Sequence, residues 1–128
     1  MWIQGRWWEM DELDRAVERS VLDAVIEGDT RISEVFVYYR NAIGAADDSA
    51  IIARCELLVR CMLQRGLITV FTSTADKHRV THTDLEGAAL DAALTDPGNW
   101  DPKRGIGADT LWMLATKKGE MHPHSRDG

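Results

Sequence analysis

Leu58-Val59-Arg60-Cys61-Met62-Leu63-Gln64-Arg65-Gly66-Leu67-Ile68-Thr69-Val70 is the stretch that decides the fold. Its first half closes an amphipathic run. Ile51, Ile52, Cys55, Leu58, Val59, Met62 and Leu63 recur at i, i+1, i+4, i+7, i+8, i+11 and i+12, the rows that one face of an α-helix presents. Arg54, Arg60, Gln64 and Arg65 fall largely off that stripe. The spacing predicts a helix over about 49–65, capped by Asp47 or Asp48 and stopped by Gly66. At Leu67 the pattern changes. Leu67-Ile68-Thr69-Val70-Phe71-Thr72 is rich in β-branched and aromatic side chains, which suit a pleated, half-buried surface, and it reads as a strand.

Two helices are expected upstream. Over 9–27, Leu13, Ala16, Val17, Val21, Ala24 and Val25 recur at spacings of three and four. Glu9, Asp11, Glu12, Asp14, Glu18, Asp23 and Glu27 dominate the opposite face. Asp11 and Glu12 fall in the first turns, where the helix dipole favours negative charge, and Gly28 ends the helix. Thr30-Arg31-Ile32-Ser33 is a short extended link. Ser33 is a good N-cap for a helix over about 34–43, whose Val35, Phe36, Tyr39 and Ile43 form one apolar stripe.

Downstream, 73–82 is polar and reads as a loop. Thr83-Asp84-Leu85-Glu86 matches a capping box and predicts a helix over about 84–94, with Leu85, Ala88, Ala89 and Leu94 inward. Asp96-Pro97-Gly98-Asn99 is a turn signal, and Trp100 just after it is expected to plug the core edge. A loop over 102–108 leads to a second strand over 110–116. Lys117-Lys118-Gly119-Glu120 turns away, and 121–128 is expected to be a mobile tail.

The order helix, short strand, helix, helix, strand, connection, strand resembles a winged helix-turn-helix domain. The 58–70 stretch looks like the third helix of such a domain and its exit into the first wing strand. Leu111-Trp112-Met113-Leu114-Ala115-Thr116-Lys117-Lys118-Gly119-Glu120 is similar to the strand that ends the wing in MarR- and PadR-like proteins. The resemblance covers about 11–72 and 109–120. It implies a single α+β domain over 1–128: a winged-helix-like three-helix bundle with a small antiparallel sheet. An extra helix is inserted between the last two strands. The sequence departs from the family in the middle, where 73–109 separates strands that a short hairpin normally joins. An insertion of that size is expected to replace or cover the minor-groove wing.

The chain has 128 residues, 45% hydrophobic and 28% charged, which is the composition of an ordinary globular domain and excludes a disordered chain or a rod. No apolar run approaches the roughly 20 residues needed to cross a bilayer as a helix. The start, Met1-Trp2-Ile3-Gln4-Gly5-Arg6-Trp7-Trp8, has neither the apolar core nor the cleavage site of a signal peptide, so a cytoplasmic location is expected. Cys55 and Cys61 lie about 9 Å apart along one helix and cannot pair with each other; free thiols are expected.

A net charge of -6 disfavours nucleic acid and favours a basic partner. The acidic residues Glu9, Asp11, Glu12, Asp14 and Glu18, together with the aromatic segment Trp2, Trp7 and Trp8 within 1–8, are therefore candidate partner-binding residues. They suit a small acidic immunity protein or antitoxin that neutralises a basic toxin or enzyme. The alternative is a DNA-binding transcription regulator, acting as a homodimer. The winged-helix resemblance would then place helix 49–65 in the major groove, with Arg54 and Arg60 reading bases and Arg40, Lys77 and Arg79 meeting phosphates. His78, His82, His122 and His124 lack the spacing of a metal site and are expected to be exposed. No phosphate loop, nucleophile elbow or acid–base pair is apparent, so no enzyme, cofactor or metal is expected.

Overall fold

The computed structural model describes residues 2–3, 6–7, 10–44, 46–76 and 79–122, with side chains over 10–44, 46–73 and 80–122. Short strands β1 (Trp2–Ile3) and β2 (Arg6–Trp7) pair antiparallel near the start. Helix α1 (Glu12–Glu27) begins where two aspartates cap each other. Asp14 N–H donates to Asp11 Oδ1 at 2.8 Å, and Asp11 N–H donates to Asp14 Oδ2 at 3.1 Å. This reciprocal cap satisfies two backbone donors that a helix start otherwise leaves unpaired. It sets the helix three residues later than the expected start at residue 9.

The chain continues through β3 (Thr30–Arg31), α2 (Ser33–Ile43) and α3 (Asp48–Gln64). Ile51, Cys55, Leu58, Val59 and Met62 of α3 are buried, and Ile52 and Leu63 half-buried, as the periodicity requires. They meet Val17, Val21, Leu22 and Val25 of α1, Val35 and Tyr39 of α2, and Ile68, Val70, Leu111 and Met113 of the sheet in one core. Cys55 and Cys61 are both free and buried.

The segment after α3 differs from expectation. Instead of a loop over 73–82, β4 (Ile68–Asp76) and β5 (Arg79–Asp84) form a hairpin in continuous register from Asp76↔Arg79 to Phe71↔Asp84. Thr83 therefore pairs with Thr72 in the ladder rather than capping a helix. Leu85 N–H prolongs the pairing by donating to Val70 O at 2.9 Å. Helix α4 (Gly87–Thr95) starts only afterwards, at Gly87, whose φ of 56° turns the chain. Leu94 is buried on it as expected, but Ala88 and Ala89 are exposed. A 3-10 turn (Pro97–Trp100) follows, and Trp100 is fully buried with Nε1 donating to Leu94 O at 3.0 Å. Strand β6 (Leu111–Ala115) then inserts between β3 and β4, giving the antiparallel order β3-β6-β4-β5.

The chain is thus α+β, an arrangement compatible with a winged-helix-like fold, with the extra helix α4 inserted between β5 and β6, the last two strands. The insertion neither replaces nor covers the hairpin. It supplies the hairpin's second strand, and β4 extends four residues beyond its last β6 partner at Thr72↔Leu111. Lys117–Glu120 does not turn away but makes a single helical turn, α5. Thr116 Oγ1 donates to Gly66 O at 2.5 Å and accepts from Gly119 N–H at 3.0 Å, which clamps that turn to the corner between α3 and β4. Gly119 is required there: a Cβ on it would stand 2.0 Å from Leu67 O.

Candidate partner-binding surface

The expected acidic face of α1 is not a face. Its buried positions are Asp14, Val17, Glu18, Val21, Leu22 and Val25, so the stripe is rotated relative to the expected one and takes two carboxylates inward. Asp14 is 1% exposed. It accepts from Tyr39 Oη at 2.6 Å on α2 and from Arg54 Nη2 at 2.9 Å on α3. Glu18 is 1% exposed and accepts from Arg65 at the end of α3. Both fasten helices together and neither is available to a partner, a correction to their place among the candidate binding residues. Asp11 is spent on the cap and on Arg54 Nη2 at 2.8 Å. Glu12, Asp23 and Glu27 remain exposed on α1, interleaved with exposed Arg15 and Arg19. Trp8 and Glu9 lie outside the described residues, as do the side chains of Trp2 and Trp7.

The electrostatics of the buried cluster follow from its geometry. Burial, and then the hydrogen bond to Asp14, push the Tyr39 hydroxyl far above the ordinary tyrosine range. The Asp14 backbone N–H chiefly holds the Asp11 carboxyl below the usual carboxylate value. Burial works against the charge of Arg54, but the hydrogen bonds to Asp11 and Asp14 outweigh it and raise its pKa. The Arg54 guanidinium also lies 5.5 Å from the centre of the Tyr39 ring.

The arginines proposed to read DNA are similarly engaged. Arg54 is bound to α1. Arg60 Nε donates to Glu56 at 2.9 Å, and its Nη2 donates to Asp91 of α4 at 2.7 Å. Arg40 pairs with Asp48, donates to Ala46 O at 3.2 Å and lies 5.4 Å from the Phe36 ring. The guanidiniums of Arg40, Arg54 and Arg60 thus each face a carboxylate of their own chain. Lys77 and the side chain of Arg79 lie outside the described residues.

Two concavities border these helices. One, of about 280 Å³, runs between α3, β4 and α4, with Leu63, Ile68, Val70, Leu85 and Leu90 as apolar lining and Asp84 and Glu86 as acidic lining. The other, of about 640 Å³, lies between α2, the start of α3 and the 3-10 turn, and includes Phe36, Ile52, Trp100, Pro102 and Lys103. Sequence reading missed both. Thr83-Asp84-Leu85-Glu86 has the composition of a helix cap, and only the strand pairing brings Asp84 and Glu86 to the rim of a groove.

The histidines are not equivalent. His82 is exposed on β5, with its ring stacked on Phe71 at a centroid distance of 4.4 Å and Nε2 3.9 Å from Asp29. His122 is half-buried rather than exposed and accepts from Arg65 Nη2 at 3.0 Å. His78 and His124 lie outside the described residues. Among the described residues, no group of three His, Cys, Asp or Glu side chains is placed to hold a metal ion. No described helix is long and apolar enough to cross a membrane. Comparison with protein-family models, curated proteins and solved structures finds no match to this chain.

Proposed function

We propose that the chain is a non-catalytic protein-binding module on a winged-helix scaffold, and that its partner is a basic protein. In its concrete form it is an immunity protein or antitoxin that neutralises a basic toxin or enzyme. One observation carries this reading: Arg54 and Arg60, the α3 arginines that would read bases, are held by Asp11 and Asp14 and by Glu56 and Asp91. DNA would have to displace those carboxylates, and a protein of net charge -6 offers little long-range attraction to do so. The groove between α3, β4 and α4 suits a basic partner instead. It offers apolar surface from Leu63, Leu85 and Leu90 beside the carboxylates of Asp84 and Glu86.

The test is titration of a mixed-sequence DNA duplex by fluorescence anisotropy at low and rising salt, beside binding to the products of adjacent genes. The reading expects no salt-sensitive DNA binding. It expects a protein complex that Asp84→Lys with Glu86→Lys weakens and whose formation slows with salt. Saturable DNA binding that falls steeply with salt, and less steeply in Arg60→Gln, would overturn it. That outcome would favour the regulator reading, which the protruding β4–β5 hairpin supports because it occupies the place of a wing.

A further inference from the structure

Strand β5 is the outer strand of the sheet, with no strand paired on its far side among the described residues. Thr81, His82, Thr83 and Asp84 are exposed, and Val80 is 63% exposed. Natural edges are guarded by lysine, proline or bulges. The segment 80–84 has no lysine or proline, and its register with β4 runs without a bulge. The hairpin also stands clear of the rest of the sheet beyond Thr72↔Leu111, so a strand can lie along it.

The direction of the free backbone groups is fixed. Leu85 N–H donates to Val70 O, so by antiparallel alternation residues 83, 81 and 79 also turn their bonds toward β4. The N–H and C=O of Val80, His82 and Asp84 therefore point outward. We propose that this edge pairs antiparallel with β5 of a second copy of the chain, about a twofold axis through His82. That register alone lets all three outward-facing positions of both strands exchange bonds: Val80 with Asp84 of the partner, His82 with its own equivalent, and Asp84 with Val80. On the other face Thr81 meets Thr83, a β-branched pair of the favourable kind, and no two carboxylates face each other. Any extended strand could meet the backbone groups, but a second copy meets them with a side-chain pairing that its own sequence fixes: Thr81 against Thr83, with no carboxylate facing another. Stacking on Phe71 keeps the His82 ring on the face of the sheet.

His82→Cys tests the axis directly. Hydrogen-bonded antiparallel partners have Cα atoms about 5.5 Å apart, within reach of a disulfide. The native thiols Cys55 and Cys61 are buried and do not compete. Mild oxidation should give a covalent dimer of His82→Cys and leave Val80→Cys monomeric, since its equivalents would stand four residues, about 13 Å, apart. A second pair of variants keeps His82 intact. Thr81→Lys with Thr83→Lys sets like charges opposite each other and should weaken self-association at least tenfold in sedimentation equilibrium. Thr81→Lys with Thr83→Glu sets opposite charges together and should preserve or strengthen it. Equal cross-linking of the two cysteine variants, equal association of the two double variants, or a wild-type chain that stays monomeric and takes a basic peptide strand on this edge would each overturn the proposal.

Discussion

Replacing Asp14 with asparagine changes one atom of the protein and distinguishes a structural carboxylate from a surface one. Asp14 is 1% exposed, and its two oxygens accept from Tyr39 Oη at 2.6 Å, Arg54 Nη2 at 2.9 Å and Asp11 N–H at 3.1 Å. Asparagine keeps one acceptor and turns an NH2 group toward a donor. One charge-assisted bond is lost, worth about 1.5–3 kcal/mol, and a donor is left facing a donor in the interior, which costs about 1–3 kcal/mol. Arg54 is a third exposed and keeps Asp11, so its own loss is screened and adds little. The expected destabilisation is about 3 kcal/mol, a large share of the roughly 5–15 kcal/mol that holds a domain together. Urea unfolding followed by circular dichroism should show the midpoint falling at unchanged slope. Tyr39→Phe should be less harmful, and the double variant should reveal a coupling above about 1 kcal/mol, because the two groups share one hydrogen bond. If Asp14→Asn lost under about 0.5 kcal/mol, or altered only the rate of association with a partner, the helix-fastening role of this carboxylate would be wrong.

Gly119→Ala should cost about 3 kcal/mol or more, since its Cβ would meet the Leu67 carbonyl at 2.0 Å and force α5 off the α3–β4 corner; a melting temperature within a degree of wild type would contradict the packing. Leu58→Ala removes a fully buried side chain from the centre of α3 and should cost about 2–5 kcal/mol in the same urea assay. The protein should also weaken in alkali. Burial pushes the Cys55 thiol from 9.0 up to about 12, so the unfolded chain gives up this proton first. Its contribution is complete below pH 9 and drains away at about 1.4 kcal/mol per pH unit as pH rises toward 12. The raised Tyr39 hydroxyl acts in the same direction above pH 10. Cys55→Ala should flatten stability between pH 9 and 10, measured relative to its own value at pH 7, and an unchanged slope would refute the assignment.

The parts of the fold that could be read from the sequence are those whose signal is local and redundant. Seven apolar positions in register made α3 unambiguous, and β-branched residues after Gly66 marked the turn into β4. The acidic helix was harder. Its buried positions, 14, 17, 18, 21, 22 and 25, obey helical spacing as well as the expected set does, but two of them are carboxylates. Hydropathy assigns such residues outward. Only Tyr39, Arg54 and Arg65, 25 to 47 residues away, make the inward orientation favourable. The hairpin was missed for a related reason. Thr83-Asp84-Leu85-Glu86 has the composition of a helix cap, yet the ladder with β4 and the Leu85–Val70 bond hold it extended. Tertiary pairing overrode a local propensity worth about a kilocalorie.

The same argument bears on charge, where the sequence alone misleads most. A total of -6 with a run of carboxylates on one helix suggests an acidic recognition surface. In three dimensions the most conspicuous of those carboxylates neutralise arginines: Asp11 and Asp14 take Arg54, and Glu18 takes Arg65. The acidity that remains accessible is distributed differently, and part of it, Asp84 and Glu86, borders apolar surface supplied by Leu63 and Leu90. The segment 73–109 is what creates this arrangement. Helix α4 delivers Leu90 to the groove and Asp91 to Arg60, so one element both builds an apolar cleft and occupies the guanidinium that α3 would otherwise offer to a phosphate or a base. A nine-residue helix therefore contributes both to the apolar lining of the groove and to the pairing of Arg60.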